Sequence, residues 1–219
     1  MRKGNLYERY WKRLLDILLS FIGMLALSWL FLLIALLIKL EDAGPAFFRQ
    51  KRYGKNKEFF NLHKFRSMKM NAPKDVPTHL LSHPEAYVTK VGILLRKSSL
   101  DELPQLLDVF RGKMSIIGPR PALWNQEDLI AERDRYQANG VLPGLTGWAQ
   151  INGRDSISIS QKARLDGEYV KALRFGGWKA FLCDCRCFFL TFACVLTAKG
   201  FSEGKHADSG QKEDKGALQ

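Results

Sequence analysis

The chain has 219 residues, with 34 Lys plus Arg against 22 Asp plus Glu and a formal charge of +12. Hydrophobic residues make up 46% and aromatics 11%, enough for a packed core, so a wholly disordered chain is excluded. The 4 cysteines all lie between Cys183 and Cys194, which excludes a disulfide framework joining distant parts. A cationic protein calls for an anionic partner: nucleic acid, anionic lipid or a phosphorylated substrate.

Leu14 to Ile38 contains no Lys or Arg, and its one acidic residue is Asp16. As a straight helix it runs roughly 37 Å, more than the ~30 Å hydrocarbon core of a bilayer. No small-residue cleavage site follows before Lys39, so a signal peptide does not fit. Arg2, Lys3, Arg9, Lys12 and Arg13 precede the segment; Lys39, Arg49, Lys51, Arg52, Lys55 and Lys57 follow it. Basic residues favour the cytoplasmic face, and both flanks carry them. A spanning helix satisfies one flank, whereas a helix that bends and leaves by the same face satisfies both. The expectation is a re-entrant helix with its break at Ser28, the central residue able to satisfy freed backbone groups.

Glu41 to Pro45 is a turn. Ala46 to Tyr53 and Glu58 to Met68 read as a β-hairpin around a four-residue loop, Gly54 to Lys57, with Lys64 and Arg66 on one strand face. Pro73, Pro77 and Pro84 mark residues 71 to 86 as a loop, where His79 and His83 read as surface residues rather than a metal site. Leu103, Leu106, Leu107 and Phe110 predict a short amphipathic helix stopped by Gly112. Met114 to Ile117 predicts a buried strand, followed by the rigid turn Gly118-Pro119-Arg120-Pro121. Residues 124 to 139 and 161 to 174 favour helix. Cys187 to Ala198 is too short to span and fits an interfacial amphipathic helix, with Lys179, Arg186 and Lys199 near headgroups. Cys183, Cys185 and Cys187 lack zinc-site spacing; Cys183 and Cys187 share a helix face as buried or lipid-facing thiols.

There is no P-loop, dinucleotide-binding, nucleophile-elbow or H-E-x-x-H motif. The segment Arg96 to Gln105 carries the chemistry. Ser99 and Glu102 have capping-box spacing, a purely structural reading. The functional reading places Asp101 and Glu102 at a positive helix end beside Arg96 and Lys97, where dipole and cations keep Asp101 ionised. Such a carboxylate can attack a phosphoryl group or hold Mg²⁺ on a diphosphate.

Five ordered motifs carry a resemblance: Lys12-Arg13…Asp16, Lys64-Phe65-Arg66-Ser67-Met68, Arg96 to Gln105, Met114-Ser115…Gly118-Pro119-Arg120-Pro121, and Pro143 to Arg154. Together they resemble the bacterial sugar transferase family, the small monotopic phosphoglycosyl transferases acting on polyprenyl phosphate. The resemblance implies transfer of a sugar 1-phosphate from a UDP-sugar to polyprenyl (undecaprenyl) phosphate with release of UMP, the first membrane step of a glycoconjugate pathway. It makes Asp101 the nucleophile of a covalent phosphosugar intermediate, with Glu102 beside it and Mg²⁺ bound at the pair. Lys64, Arg66, Arg96 and Arg120 match family cations, read physically as phosphate ligands. Gln150, Asn152 and Arg154 match the Gly-rich segment and are assigned to the nucleotide end. Three departures stand out: Ser28-Trp29 where many members have Ser-Pro, Ile159 where Trp is usual, and the cysteines around Asp184.

The expected architecture is a membrane-associated mixed α/β fold. Residues 1–40 form the re-entrant helix with basic flanks, 41–199 a cytoplasmic catalytic domain with a β-hairpin and interfacial helices, and 200–219 a disordered tail. The expected location is the cytoplasmic face of the inner membrane, in contact with membrane lipids. Oligomeric state stays open, a homodimer being one arrangement. Rival readings are a non-catalytic basic membrane adaptor, a nucleic-acid binder, which the lipid segment disfavours, and a phosphotransferase without a covalent intermediate.

Overall fold

A computed structural model describes residues 6–73, 84–153 and 157–196; His79, His83, Arg154 and the tail lie outside the described residues. A wide helical turn, Tyr7–Trp11, leads into α1 (Lys12–Ala26) and then α2 (Ser28–Glu41). The two arms are bent by 61°. Among the described residues no single helix is long and apolar enough to cross a membrane; only the bent pair has that length and composition together.

The break falls at Leu27 (φ −98°, ψ 7°), one residue before the expected Ser28, which instead opens α2. The N-cap position is taken by Leu27, whose side chain is apolar, so no side-chain hydrogen bond caps α2. The bend is held from outside. Ile34 and Ile38 of α2 pack with Ala46, Phe65 and Leu95 in a buried cluster that also takes in Leu100 and Leu103. The second arm therefore lies under the very turn that carries the acidic pair.

β1 (Phe47–Tyr53) and β2 (Phe59–Phe65) form the expected antiparallel hairpin, with Phe47 opposite Phe65 and Tyr53 opposite Phe59. Its loop spans Gly54 to Glu58 rather than four residues. Gly54 N–H closes it onto Glu58 O at 2.7 Å, and Asn56 and Lys57 take left-handed conformations. β2 stops at Phe65, three residues before the expected Met68.

Next come α3 (Pro84–Tyr87) and α4 (Lys90–Ser98), the latter absent from the expected elements, then α5 (Gln105–Phe110). Gly112 ends α5 at φ +78°, as the sequence pattern predicts. β3 (Ser115–Ile117) is fully buried and pairs in parallel with β4 (Gly144–Thr146). α6 (Glu127–Arg135), α7 (Trp148–Ile151), α8 (Ile159–Phe175) and α9 (Gly177–Leu196) complete the chain. α9 begins before the cysteines and buries Ala180, Asp184 and Cys187 on one face. Cys183, half-buried on the same face, contacts Cys187, as their spacing predicts.

The main core joins Val109, Met114, Ile117, Val141, Tyr169, Val170, Leu173 and Cys187. Burying each such side chain stabilises by roughly 1.5–3 kcal/mol. At its edge a polar knot binds α1 to α9. Asp184 accepts from Tyr7 (2.8 Å), Lys12 (2.7 Å) and Tyr169 (2.9 Å). Asp16 accepts from Ser115 Oγ (3.1 Å) and Ile116 N–H (2.9 Å).

Candidate active site

The acidic pair sits on a short 3-10 turn, Leu100–Glu102, between α4 and α5. Ser99 enters it in the left-handed region (φ 58°) and makes no capping bond with its side chain. The capping-box reading is thereby overturned: Glu102 does not fold back on the chain but reaches across to other elements. Its Oε1 accepts from Lys64 Nζ at 2.8 Å and Arg120 Nη2 at 2.5 Å, and its Oε2 from Arg120 Nη1 at 3.2 Å. Lys64 comes from β2 and Arg120 from the turn after β3.

That turn is positioned by close backbone packing. A Cβ on Gly144 would stand 2.1 Å from Gly118 N, so only glycine lets β4 lie this near. Gly118 N–H donates to Thr146 O at 2.8 Å. The Gly-rich segment thus serves to aim Arg120.

Asp101 is 8% exposed, and Lys64 Nζ stands 4.0 Å from its Oδ2. Among the described residues no hydrogen bond reaches its carboxylate. Burial raises its pKa; Lys64, Arg96 and Arg120 oppose this, and Glu102 adds to it. The expected field of a helix end is missing, because α5 starts only at Gln105. Glu102 behaves oppositely. Burial alone would raise it, but Arg120 and Lys64 hold it well below the usual carboxylate range. The site pairs a gripped, ionised Glu102 with a buried, more basic Asp101 whose oxygens have no hydrogen-bond partner among the described residues. A carboxylate of that kind is the better nucleophile once ionised.

Arg96 acts on Asp101 electrostatically while its Nε donates to Ser67 Oγ at 2.9 Å. Lys64, Arg96, Arg120, Asp101 and Glu102 are therefore brought together. Arg66 is not. Its guanidinium donates to the carbonyls of Asp42 and Ala43 and lies 3.7 Å from the Asp42 carboxylate. Although two residues apart, Lys64 and Arg66 serve different partners, because β2 ends at Phe65 between them. Arg66 bolts the end of α2 to the hairpin.

Asn152 Nδ2 donates to Trp148 O at 2.8 Å, finishing α7. Gln150 has a buried amide with neither its oxygen nor its nitrogen hydrogen-bonded to any described residue. Arg52 is the site residue that the sequence reading left in a basic flank. It is half-buried, its Nη1 donates to Pro121 O at 2.9 Å, and Gln50 Oε1 accepts from its Nε and Nη2. Burial lowers its pKa, the Arg120 charge lowers it further, and Glu102 counters both. The register Arg52 opposite Leu123 gives the contact, and no local pattern announces it. No group of three or more His, Cys, Asp or Glu side chains suited to a metal occurs among the described residues.

A family model described as bacterial sugar transferase matches residues 7–198. The chain is 39% identical over 195 residues to an uncharacterized sugar transferase, EpsL, of Bacillus subtilis, covering 89% of this chain and 92% of that one. It is 37% identical over 203 residues to the exopolysaccharide production protein ExoY of Sinorhizobium fredii, covering 86% and 87%. A UDP-glucose:undecaprenyl-phosphate glucose-1-phosphate transferase of Escherichia coli is 41% identical over 171 residues, 75% of this chain but 37% of that larger protein. The match takes in both arms of the helical hairpin and every side chain gathered around Asp101, and the chain belongs to the bacterial sugar transferase family.

Proposed function

We propose that this protein transfers a sugar 1-phosphate from a UDP-sugar to polyprenyl phosphate, with Asp101 as nucleophile. The supporting observation is the contrast within the acidic pair: Glu102 is held by Lys64 and Arg120, while Asp101 is buried with no hydrogen bond from any described residue. A carboxylate oxygen of Asp101 attacks the phosphorus that bears the sugar. The bond from that phosphorus to the bridging oxygen breaks, and UMP leaves with the electron pair. The phosphosugar stays on Asp101 as an acyl phosphate. An oxygen of polyprenyl phosphate then attacks the same phosphorus, giving the diphosphate-linked sugar and restoring the carboxylate. Lys64, Arg96 and Arg120 stabilise charge on the phosphoryl group in flight.

Mg²⁺ fits the donor set. It takes one or two carboxylates plus substrate phosphates, and Asp101 presents hard oxygens with unused lone pairs, with Glu102 adjacent. When bound it neutralises charge on the diphosphate. The nucleotide end is assigned to Gln150, whose amide has no hydrogen-bond partner among the described residues, and to Arg154. Arg66 and Asn152 are left out, because their side chains are committed to backbone carbonyls.

The second substrate is a lipid, and the fold meets it. Leu18, Ile22 and Leu25 on α1, Leu32, Leu36 and Leu40 on α2, and Trp178 and Phe189 on α9 are exposed. So much apolar surface fits hydrocarbon and not water. It supports a re-entrant hairpin seated in the cytoplasmic face of the membrane, with the acidic pair at headgroup level. Rapid mixing of enzyme, Mg²⁺ and UDP-sugar without lipid tests the chemistry. Close to one equivalent of UMP should appear per active site, and Asp101→Asn should lower the rate by ~10³-fold or more. UMP release that requires both substrates would demote Asp101 to a metal ligand and favour direct transfer.

A further inference from the structure

Glu41, the last residue of α2, makes contacts that the transfer reaction itself does not explain. Its carboxylate accepts from Lys90 N–H at 2.6 Å and Val91 N–H at 2.8 Å. These are the first two amides of α4, a nine-residue helix. Thr89 Oγ1 takes the third, from Gly92 N–H at 2.9 Å. The first-turn donors of α4, ordinarily left over at a helix start, are thus satisfied, two of them by a residue 49 and 50 positions away. A carboxylate is also the charge that this end of a helix favours.

α4 is seated without slack. A Cβ on Gly92 would lie 2.0 Å from Ser67 O, and Thr89 N–H donates to that same carbonyl at 3.2 Å. Val91 and Leu95 pack with Ile34 and Ile38 of α2. At its far end α4 carries Arg96 and then Ser99, whose carbonyl accepts from Glu102 N–H at 3.2 Å. Asp42, next to Glu41, accepts from Met70 N–H at 3.1 Å and lies 3.7 Å from Arg66, so it holds the segment that follows the hairpin.

We propose that Glu41 is a positioning residue for phosphosugar transfer: by fixing the start of α4 it sets where Arg96 stands relative to Asp101. Seating of the helical hairpin and competence of the acidic pair are then one structural state. This inference rests on the reading of Asp101 as the reacting group.

The test uses the full chain in lipid nanodiscs and rapid-quench measurement of UMP release. The donor is chosen by wild-type turnover among UDP-glucose, UDP-galactose and their N-acetyl forms. Glu41→Gln should keep the burst amplitude and the donor KM but slow the burst about tenfold, as misplaced catalytic groups do. In an Arg96→Ala background the same change should cost less than about twofold, because the two residues act in series. A role in folding alone lowers the amplitude and leaves the rate constant, which would overturn the proposal. So would a wild-type rate in Glu41→Gln, or losses that multiply in the double variant. If Glu41→Gln does not accumulate in the membrane, Glu41→Asp, with its carboxylate one methylene short, is measured against the same outcomes. Asp101→Asn is run alongside. If it kept the burst, the reading of the site would fail and the inference with it; if it alone lost the burst, the Glu41 inference alone would fail.

Discussion

α1 and α8 are helices of 15 and 17 residues with opposite surfaces. α8 buries Ala163, Tyr169, Val170 and Leu173 and exposes Gln161, Arg164, Glu168, Lys171 and Arg174. α1 buries Lys12, Asp16 and Ser20, one turn apart on a single stripe, and exposes Leu14, Leu18, Phe21, Ile22 and Leu25. Both stripes follow helical periodicity; what differs is the surroundings. α8 needs water outside and an apolar core inside. α1 needs an apolar medium outside and a polar body inside, which supports the proposed membrane seat. Its buried polar groups are affordable because each has a partner: Lys12 meets Asp184, and Asp16 meets Ser115 and the Ile116 amide.

The largest effect should come from cutting the polar stripe. Asp184→Ala leaves Lys12 and Tyr7 buried without the acceptor they share, with Tyr169 keeping only the Ile117 carbonyl, and should destabilise by ~3–5 kcal/mol. Thermal unfolding of detergent-purified protein measures it, and an unchanged midpoint would mean that the knot does not hold α1 to the body. The apolar side is tested next. Lys at Leu32 and Leu36 together should each cost ~2.5–3.5 kcal/mol of insertion if they face the hydrocarbon centre. The double variant should move from the membrane fraction to the soluble one, while Lys171→Leu on α8 should not change the partition. A double variant that still pellets with membranes would refute the lipid-facing assignment.

The smallest effect should come from Trp29→Pro. Trp29 is the second residue of α2, within the first turn, where an N–H has no intrahelical acceptor and proline is tolerated. Stability should change by less than ~1 kcal/mol. A reporter Leu6→Cys, with native cysteines replaced, should stay protected from an impermeant thiol reagent added outside intact cells, with or without that proline. Labelling of Leu6→Cys from outside would establish a spanning helix.

The amino-acid sequence by itself determined what local pattern can express. The apolar stretch from Leu14 to Ile38, the antiparallel hairpin, the buried strand at Met114 to Ile117 and the stop at Gly112 all follow from periodicity and backbone preference within a few residues. The adjacency of Asp101 and Glu102 was equally plain. Only the tertiary structure decided their different states. Glu102 is ionised because Lys64 and Arg120 arrive from 38 and 18 residues away; Asp101, buried beside them, accepts no hydrogen bond among the described residues. The same holds for Arg52, drawn in by a bridge to Leu123, for Arg66, drawn off to the end of α2, and for Glu41, capping a helix that the sequence reading did not mark. A side chain's spacing names the face on which it can lie. Which partner meets it there depends on distant segments packing together, and that long-range choice sets charge, nucleophilicity and position.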